Sequence, residues 1–191
     1  MRLLLLRHAK SDWSGQAGDH APDHAHDHAH DHQRPLSPRG RRALPRVASH
    51  MKRLGYQPHT ILCSTATRTR ETCELLLAHL ETQASVHHDR ALYLAEWPQL
   101  LAEIRGVPAG TSPLLLIGHN PGLEQLALAL ALQPQSPAER ARTEKLAAKF
   151  PTAALAVLDF DIADWSQVKP GSGRLIDYVR PKDLRMKSQP G

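Results

Sequence analysis

Only two cysteines occur in the 191 residues, Cys63 and Cys73, and they lack C-x-x-C spacing. That scarcity argues against a disulfide framework and against a structural zinc site. Long hydrophobic runs are missing too. The longest is a handful of residues, far below the ~20 needed to cross a bilayer, so no membrane partner is expected. A secretory leader needs an apolar stretch of ~7–15 residues and a small-residue cleavage site. Here Arg7-His8-Ala9-Lys10 interrupts the chain after Leu3, Leu4, Leu5 and Leu6, and a cytoplasmic protein is expected. An acidic excess is also lacking. The formal net charge is +5, which suits an anionic ligand but is small enough for an ordinary solvated surface. No nucleic-acid partner is expected, and nothing in the pattern specifies an oligomeric state.

What is present is the composition of a globular domain, 41% hydrophobic, in a chain long enough to bury a core. One domain over residues 1–191 is expected. Short apolar runs read as buried strands at Leu3–Leu6, Thr60–Cys63, Leu114–Ile117, Ala153–Leu158 and Arg174–Val179. Helical stretches lie between them. Ser37-Pro38 is a cap and first-turn signal for a basic helix running towards Leu54-Gly55. Pro45 should bend that helix or delay its start. Further helices are expected over Thr65–Leu80, Glu96–Arg105 and Pro121–Leu132. The alternation implies an α/β fold, a three-layer αβα sandwich with a mostly parallel central sheet. Ligands bind such sheets where strand C-termini meet the following loops. Residues 18–33 stand apart as a low-complexity His/Asp tract and read as an insertion in the loop after the first strand.

Chemistry-bearing residues cluster at those strand ends. Arg7-His8 follows the first strand, and Gly118-His119-Asn120 follows the Leu114–Ile117 strand. Ser64 closes the Thr60–Cys63 strand, with Arg68 in the first turn of the next helix, an arrangement suited to binding an anion. Arg7 and Arg68 offer forked donors for phosphate oxygens. A neutral imidazole attacks phosphorus in line and divides hydrolysis into two easier steps. Nearby arginines disfavour protonation of His8 and keep its nucleophilic nitrogen free.

The ordered motifs resemble those of the histidine phosphatase superfamily, the phosphoglycerate-mutase-like fold. Arg7-His8-Ala9-Lys10 is similar to its R-H-x signature, with alanine where glycine is commoner. Ser64 to Thr72 resembles its S-x-x-x-R-x-x-x-T element, and Leu115 to Asn120 its second-histidine strand. Arg34-Pro35-Leu36-Ser37-Pro38-Arg39-Gly40, Gly118 to Glu124 and Lys149-Phe150-Pro151-Thr152-Ala153 are similar to stretches of the small SixA-type phosphohistidine phosphatases. The resemblance implies His8 as the phosphorylated nucleophile and Arg7, Arg68 and His119 as the rest of a phosphate pocket. It also implies no metal and no organic cofactor. Ser64 and Asn120 are counted with the substrate-binding set, and Arg34 and Ser14 are placed at the rim.

Many members of that superfamily carry an acid that protonates an alcohol leaving group. Here Glu96 is the possible acid, although a first-turn acid is also favoured by the helix macrodipole alone. A phosphoramidate such as phosphohistidine leaves more readily than an alkoxide, so a weak or absent acid favours a protein-phosphohistidine substrate. The expected partner is therefore a phosphorylated protein of a phosphorelay or phosphotransfer chain. The alternative is a small phosphoester, hydrolysed with Glu96 as acid. A reading of another class makes the protein a metal binder or sensor. His20, His24, His28 and His32 recur every four residues and would line one helical face suited to zinc, nickel or copper.

Overall fold

The computed structural model describes residues 1–13 and 30–184. Six strands form one sheet in the order β3-β2-β4-β1-β5-β6: β1 (Arg2–Arg7), β2 (Thr60–Ser64), β3 (Ser85–Asp89), β4 (Leu114–Gly118), β5 (Leu155–Asp159) and β6 (Arg174–Val179). Neighbours from β3 to β1 pair in parallel, and β5 runs antiparallel to both β1 and β6. The helices are α1 (Pro38–Arg41), α2 (Leu44–Leu54), α3 (Thr67–Leu80), α4 (Trp97–Arg105), α5 (Gly122–Leu130) and α6 (Pro137–Ala148).

Strand periodicity divides the core in two. Leu3, Leu5, Leu114, Leu116, Ala156 and Leu158 pack with Leu100, Ile104, Leu123, Leu126 and Leu146 of α4, α5 and α6. Leu4, Leu6, Leu115, Ile117, Leu155 and Val157 pack on the other face with Leu44, Val47, Met51, Leu76 and Leu80 of α2 and α3. Successive side chains of a strand point to opposite faces, so a strand buried on both sides reads as an unbroken apolar run. The expected three-layer αβα sandwich is the fold observed.

Pro45 delays a helix as expected. The basic segment splits into α1 and α2, and Pro45 falls in the first turn of α2, where its missing N–H costs nothing. Two elements lie outside the sequence expectations. β3 reads Ser-Val-His-His-Asp and is an exposed edge strand, so burial imposes no apolar pattern on it. α6 is a largely polar helix that buries Leu146. Its N-terminus is capped by Ser136, whose hydroxyl accepts from the Glu139 N–H. A third difference concerns the run beginning at Ala153. The strand starts at Leu155, because Ala153 adopts a left-handed φ of 57° and its N–H turns back to the carbonyls of Arg7 and His8.

Candidate active site

Strand register assembles the site. Arg7 of β1 lies opposite Gly118 of β4, and Cys63 of β2 opposite Ile117, so Arg7, Gly118 and Ser64 close three adjacent strands at one level. His8 and His119 are the next residues along, with ring centroids 5.2 Å apart. The His8 N–H donates to the Gly118 carbonyl (3.1 Å) and joins the two loops.

Each ring is fixed by one nitrogen. His8 Nδ1 lies 2.7 Å from the Ala9 carbonyl oxygen. A carbonyl only accepts, so Nδ1 carries the proton and a neutral His8 keeps its lone pair on Nε2. Burial, followed by the charges of Arg68, Arg7 and Arg34, pushes the His8 imidazole down to about 3 against an ordinary 6.5. His119 Nε2 meets the Ser64 hydroxyl at 2.8 Å. Burial, then His8, Arg68 and Arg7, lowers His119 to about 2. Both rings are neutral at neutral pH.

The surrounding loops hold the arginines. Arg7 Nη1 donates to the Phe150 carbonyl (2.9 Å), which also accepts from Asn120 Nδ2 (3.0 Å). Asn120 spends its other amide contact on Glu124 Oε2 (2.7 Å), so its N–H donors serve the scaffold rather than a ligand. Arg68 stands in the first turn of α3 and is 2% exposed. Thr72, one turn on, donates to the Arg68 carbonyl (2.6 Å) and accepts from the Ala9 N–H (3.0 Å), tying α3 to the His8 loop. Among the described residues, Arg7 Nε, Arg34 Nε and Nη1, Arg68 Nε and His119 Nδ1 are buried without a hydrogen-bond partner. Buried polar groups are almost always paired. Asn120 Oδ1 is unpaired as well, but the guanidinium N–H groups among these atoms are cationic donors with the sign to bind an oxyanion.

Two residues of this site have no place in the sequence expectations. Asp31 lies on a helical turn at 30–33 and reaches Arg68, Arg34 and the Tyr93 hydroxyl. Tyr93 in turn packs edge-on against His119 at 5.3 Å. In the sequence Asp31 is the last of several Asp-His pairs and nothing local distinguishes it. Of the four tract histidines considered as metal ligands, His32 is described: its Nε2 lies 2.9 Å from the Thr65 hydroxyl, and its ring stands edge-on to Tyr93. His20, His24 and His28 lie outside the described residues. Arg34, expected at the rim, bonds Asp31 and stacks its guanidinium 3.6 Å from the Trp13 ring; Ser14 is outside the described residues. Glu96 caps the start of α4 through its backbone, and its side chain is exposed with no capping hydrogen bond. The carboxylate on the site's arginines is that of Asp31. Burial works to raise it, but the Tyr93 hydroxyl and Arg68 outweigh burial and hold it below the usual carboxylate range, hence ionised.

A family model described as "Histidine phosphatase superfamily (branch 1)" matches residues 3–98. The chain belongs to that superfamily. An uncharacterised protein of Mycobacterium tuberculosis is 34% identical over 177 residues, 93% of this chain and 100% of that protein. A SixA-named structure from Agrobacterium tumefaciens is 28% identical with a TM-score of 0.70, over 94% of this chain and 97% of that one. A structure of the protein histidine phosphatase SixA complexed with tungstate has the same TM-score at 20% identity, over 97% of this chain and 100% of that one, and shows the shared fold. As a member of the histidine phosphatase superfamily the protein is a phosphatase with the phosphoglycerate-mutase-like α/β architecture. Among the described residues no helix is long and apolar enough to cross a membrane.

Proposed function

We propose that this phosphatase hydrolyses phosphohistidine on a protein through a covalent intermediate on His8. One observation carries the reading: His8 is neutral, its Nδ1 is pinned to the Ala9 carbonyl, and its free Nε2 stands among unpaired buried guanidinium donors. In the first step the Nε2 lone pair forms a bond to phosphorus as the P–N bond to the substrate imidazole breaks. Arg7 and Arg68 take the charge on the equatorial oxygens, with His119 beside them. In the second step water attacks the phosphoryl group on His8, whose Nε2 departs with its electron pair, and inorganic phosphate is released.

The leaving group chooses the substrate class. A phosphoimidazole protonated on its far nitrogen departs as neutral imidazole, so no acid is needed at the bond that breaks. An alkyl ester departs as alkoxide and needs a protonated acid at the bridging oxygen. Asp31 is ionised and the Glu96 side chain is exposed, so neither suits that task. The arginines supply the positive charge of the pocket, and the reaction as derived calls on no metal. A reducing compartment such as the cytoplasm suits the free Cys63 and Cys73. The SixA names among similar structures agree with the phosphohistidine reading.

The test is dephosphorylation of a histidine-phosphorylated carrier protein, run with chelator beside p-nitrophenyl phosphate and an aliphatic phosphomonoester. Preferential release from the protein, lost in His8→Ala, is the expected result. Faster turnover of the aliphatic ester, lost in Glu96→Gln, would overturn the substrate class and favour a small-molecule phosphomonoesterase. Activity that returns only when divalent metal is restored would overturn the metal-independent mechanism.

A further inference from the structure

Asp31 grips Arg68 by one edge. The Arg68 Nη1 donates to the Asp31 main-chain carbonyl (2.5 Å), and Nη2 donates to its Oδ2 (2.8 Å). A guanidinium offers two forked edges, one between Nη1 and Nη2 and one that includes Nε. Asp31 fills the first. The second remains, and its Nε is buried and unpartnered. The other carboxylate oxygen, Oδ1, holds Arg34 Nη2 at 2.9 Å, while Arg34 Nε and Nη1 are likewise buried and unpartnered. One carboxylate thus sits between two guanidinium groups, whose Arg68 Nε and Arg34 Nε and Nη1 lack partners among the described residues.

The carboxylate is itself anchored. The Tyr93 hydroxyl donates to Oδ2 (2.7 Å), and His32, the next residue, meets the Thr65 hydroxyl just before α3. The turn that carries Asp31 is closed by the Arg34 N–H, which donates to the Asp31 carbonyl (3.3 Å). An arginine side chain has about 2 kcal/mol of rotamer entropy to lose, and two of them held side by side repel each other. A shared carboxylate offsets both costs before any ligand arrives.

We propose that Asp31 is a positioning residue for the reaction: it holds Arg68 by its Nη1/Nη2 edge and Arg34 by Nη2, so that their unpaired N–H donors are presented to the phosphoryl group. This rests on the phosphatase pocket proposed above and adds the residue that pre-organises it. Its consequence is a sign that separates orientation from charge. Removing a negative charge from beside a phosphate site tightens anion binding by Coulomb's law alone. Removing a residue that aims the donors weakens it.

The experiment measures inorganic phosphate binding to the intact protein by calorimetry, with p-nitrophenyl phosphate kinetics and thermal unfolding alongside. Asp31→Asn is expected to weaken phosphate binding by about ten-fold, the scale of one charge-assisted contact. The same loss should appear in KM more than in kcat, with the unfolding midpoint little changed. Tyr93→Phe, which loosens the carboxylate without altering its charge, should weaken binding in the same direction by a smaller factor. Unchanged or tighter binding in both variants overturns the proposal and makes Asp31 a competitor or a bystander. Absence of saturable phosphate binding by the wild-type protein overturns the pocket reading itself, and this one with it.

Discussion

Ser64 shows how much a single side chain does in this site. It is fully buried, and its hydroxyl is the partner of His119 Nε2. Ser64→Ala leaves that nitrogen unpaired in a buried place, a penalty of about 1–3 kcal/mol that falls on the orientation of His119. Turnover should fall by about ten-fold or more, with the unfolding midpoint lower by about 2–4 °C per kcal/mol of that penalty. Steady-state kinetics checks this, and a variant as active as wild type would show that turnover does not depend on the Ser64–His119 hydrogen bond. At this scale the sequence was informative wherever a residue type is rare at a strand end. Arg7, His8 and His119 stand out for that reason, and Arg68 for its place in the first turn of the helix that follows β2. Asp31 did not, because its contacts to Arg34, Arg68 and Tyr93 span very different separations along the chain and its neighbours repeat its own Asp-His pattern.

Among the elements, α5 is set by a close approach. A Cβ on Gly122 would overlap the Ala95 carbonyl oxygen at the entry to α4, and neither backbone has a flexible side chain to give way. Gly122→Ala should therefore cost roughly 1–3 kcal/mol, as overpacking of a rigid contact does. That lowers the unfolding midpoint by about 2–4 °C per kcal/mol in a domain of this size. Gly106→Ala is the control, because there the nearest atom to an added Cβ is the Glu103 carbonyl oxygen at an ordinary 3.5 Å. Thermal scans should separate the two variants clearly, and equal midpoints would count against the close approach. The elements legible in the sequence were those buried on one or two faces. Burial imprints an apolar pattern on β1, β2 and β4, whereas exposed β3 and largely solvated α6 carry none.

For the whole molecule, two buried neutral histidines make acid the vulnerable side. His8 and His119 titrate at about 3 and about 2 in the folded chain, against an ordinary 6.5. Below that ordinary value the unfolded chain binds protons that the folded chain refuses. Their stabilising contribution is complete above pH 6.5 and is lost as pH falls towards the folded values. Each group adds up to about 1.4 kcal/mol of lost stability per pH unit across that window. Urea unfolding well above and well below that ordinary value should show a steep decline in the wild type. A His8→Asn/His119→Gln variant should decline distinctly less, and parallel declines would show that other groups carry the acid response.

By itself the sequence determined the alternation of buried strands and helices, because burial on both sheet faces demands uninterrupted apolar runs. It also determined which rare polar residues end those strands, because β1, β2 and β4 stop where their apolar runs stop. Only the tertiary structure decided how the loops complete the site. The turn at 149–153 lends its backbone to Arg7 and His8, and the end of the His/Asp tract places Asp31 between two arginines. Apart from the local Asp31–Arg34 pair, those contacts join residues far apart in the chain through hydrogen bonds, which leave no period in a sequence and exist only once the strand ends stand side by side.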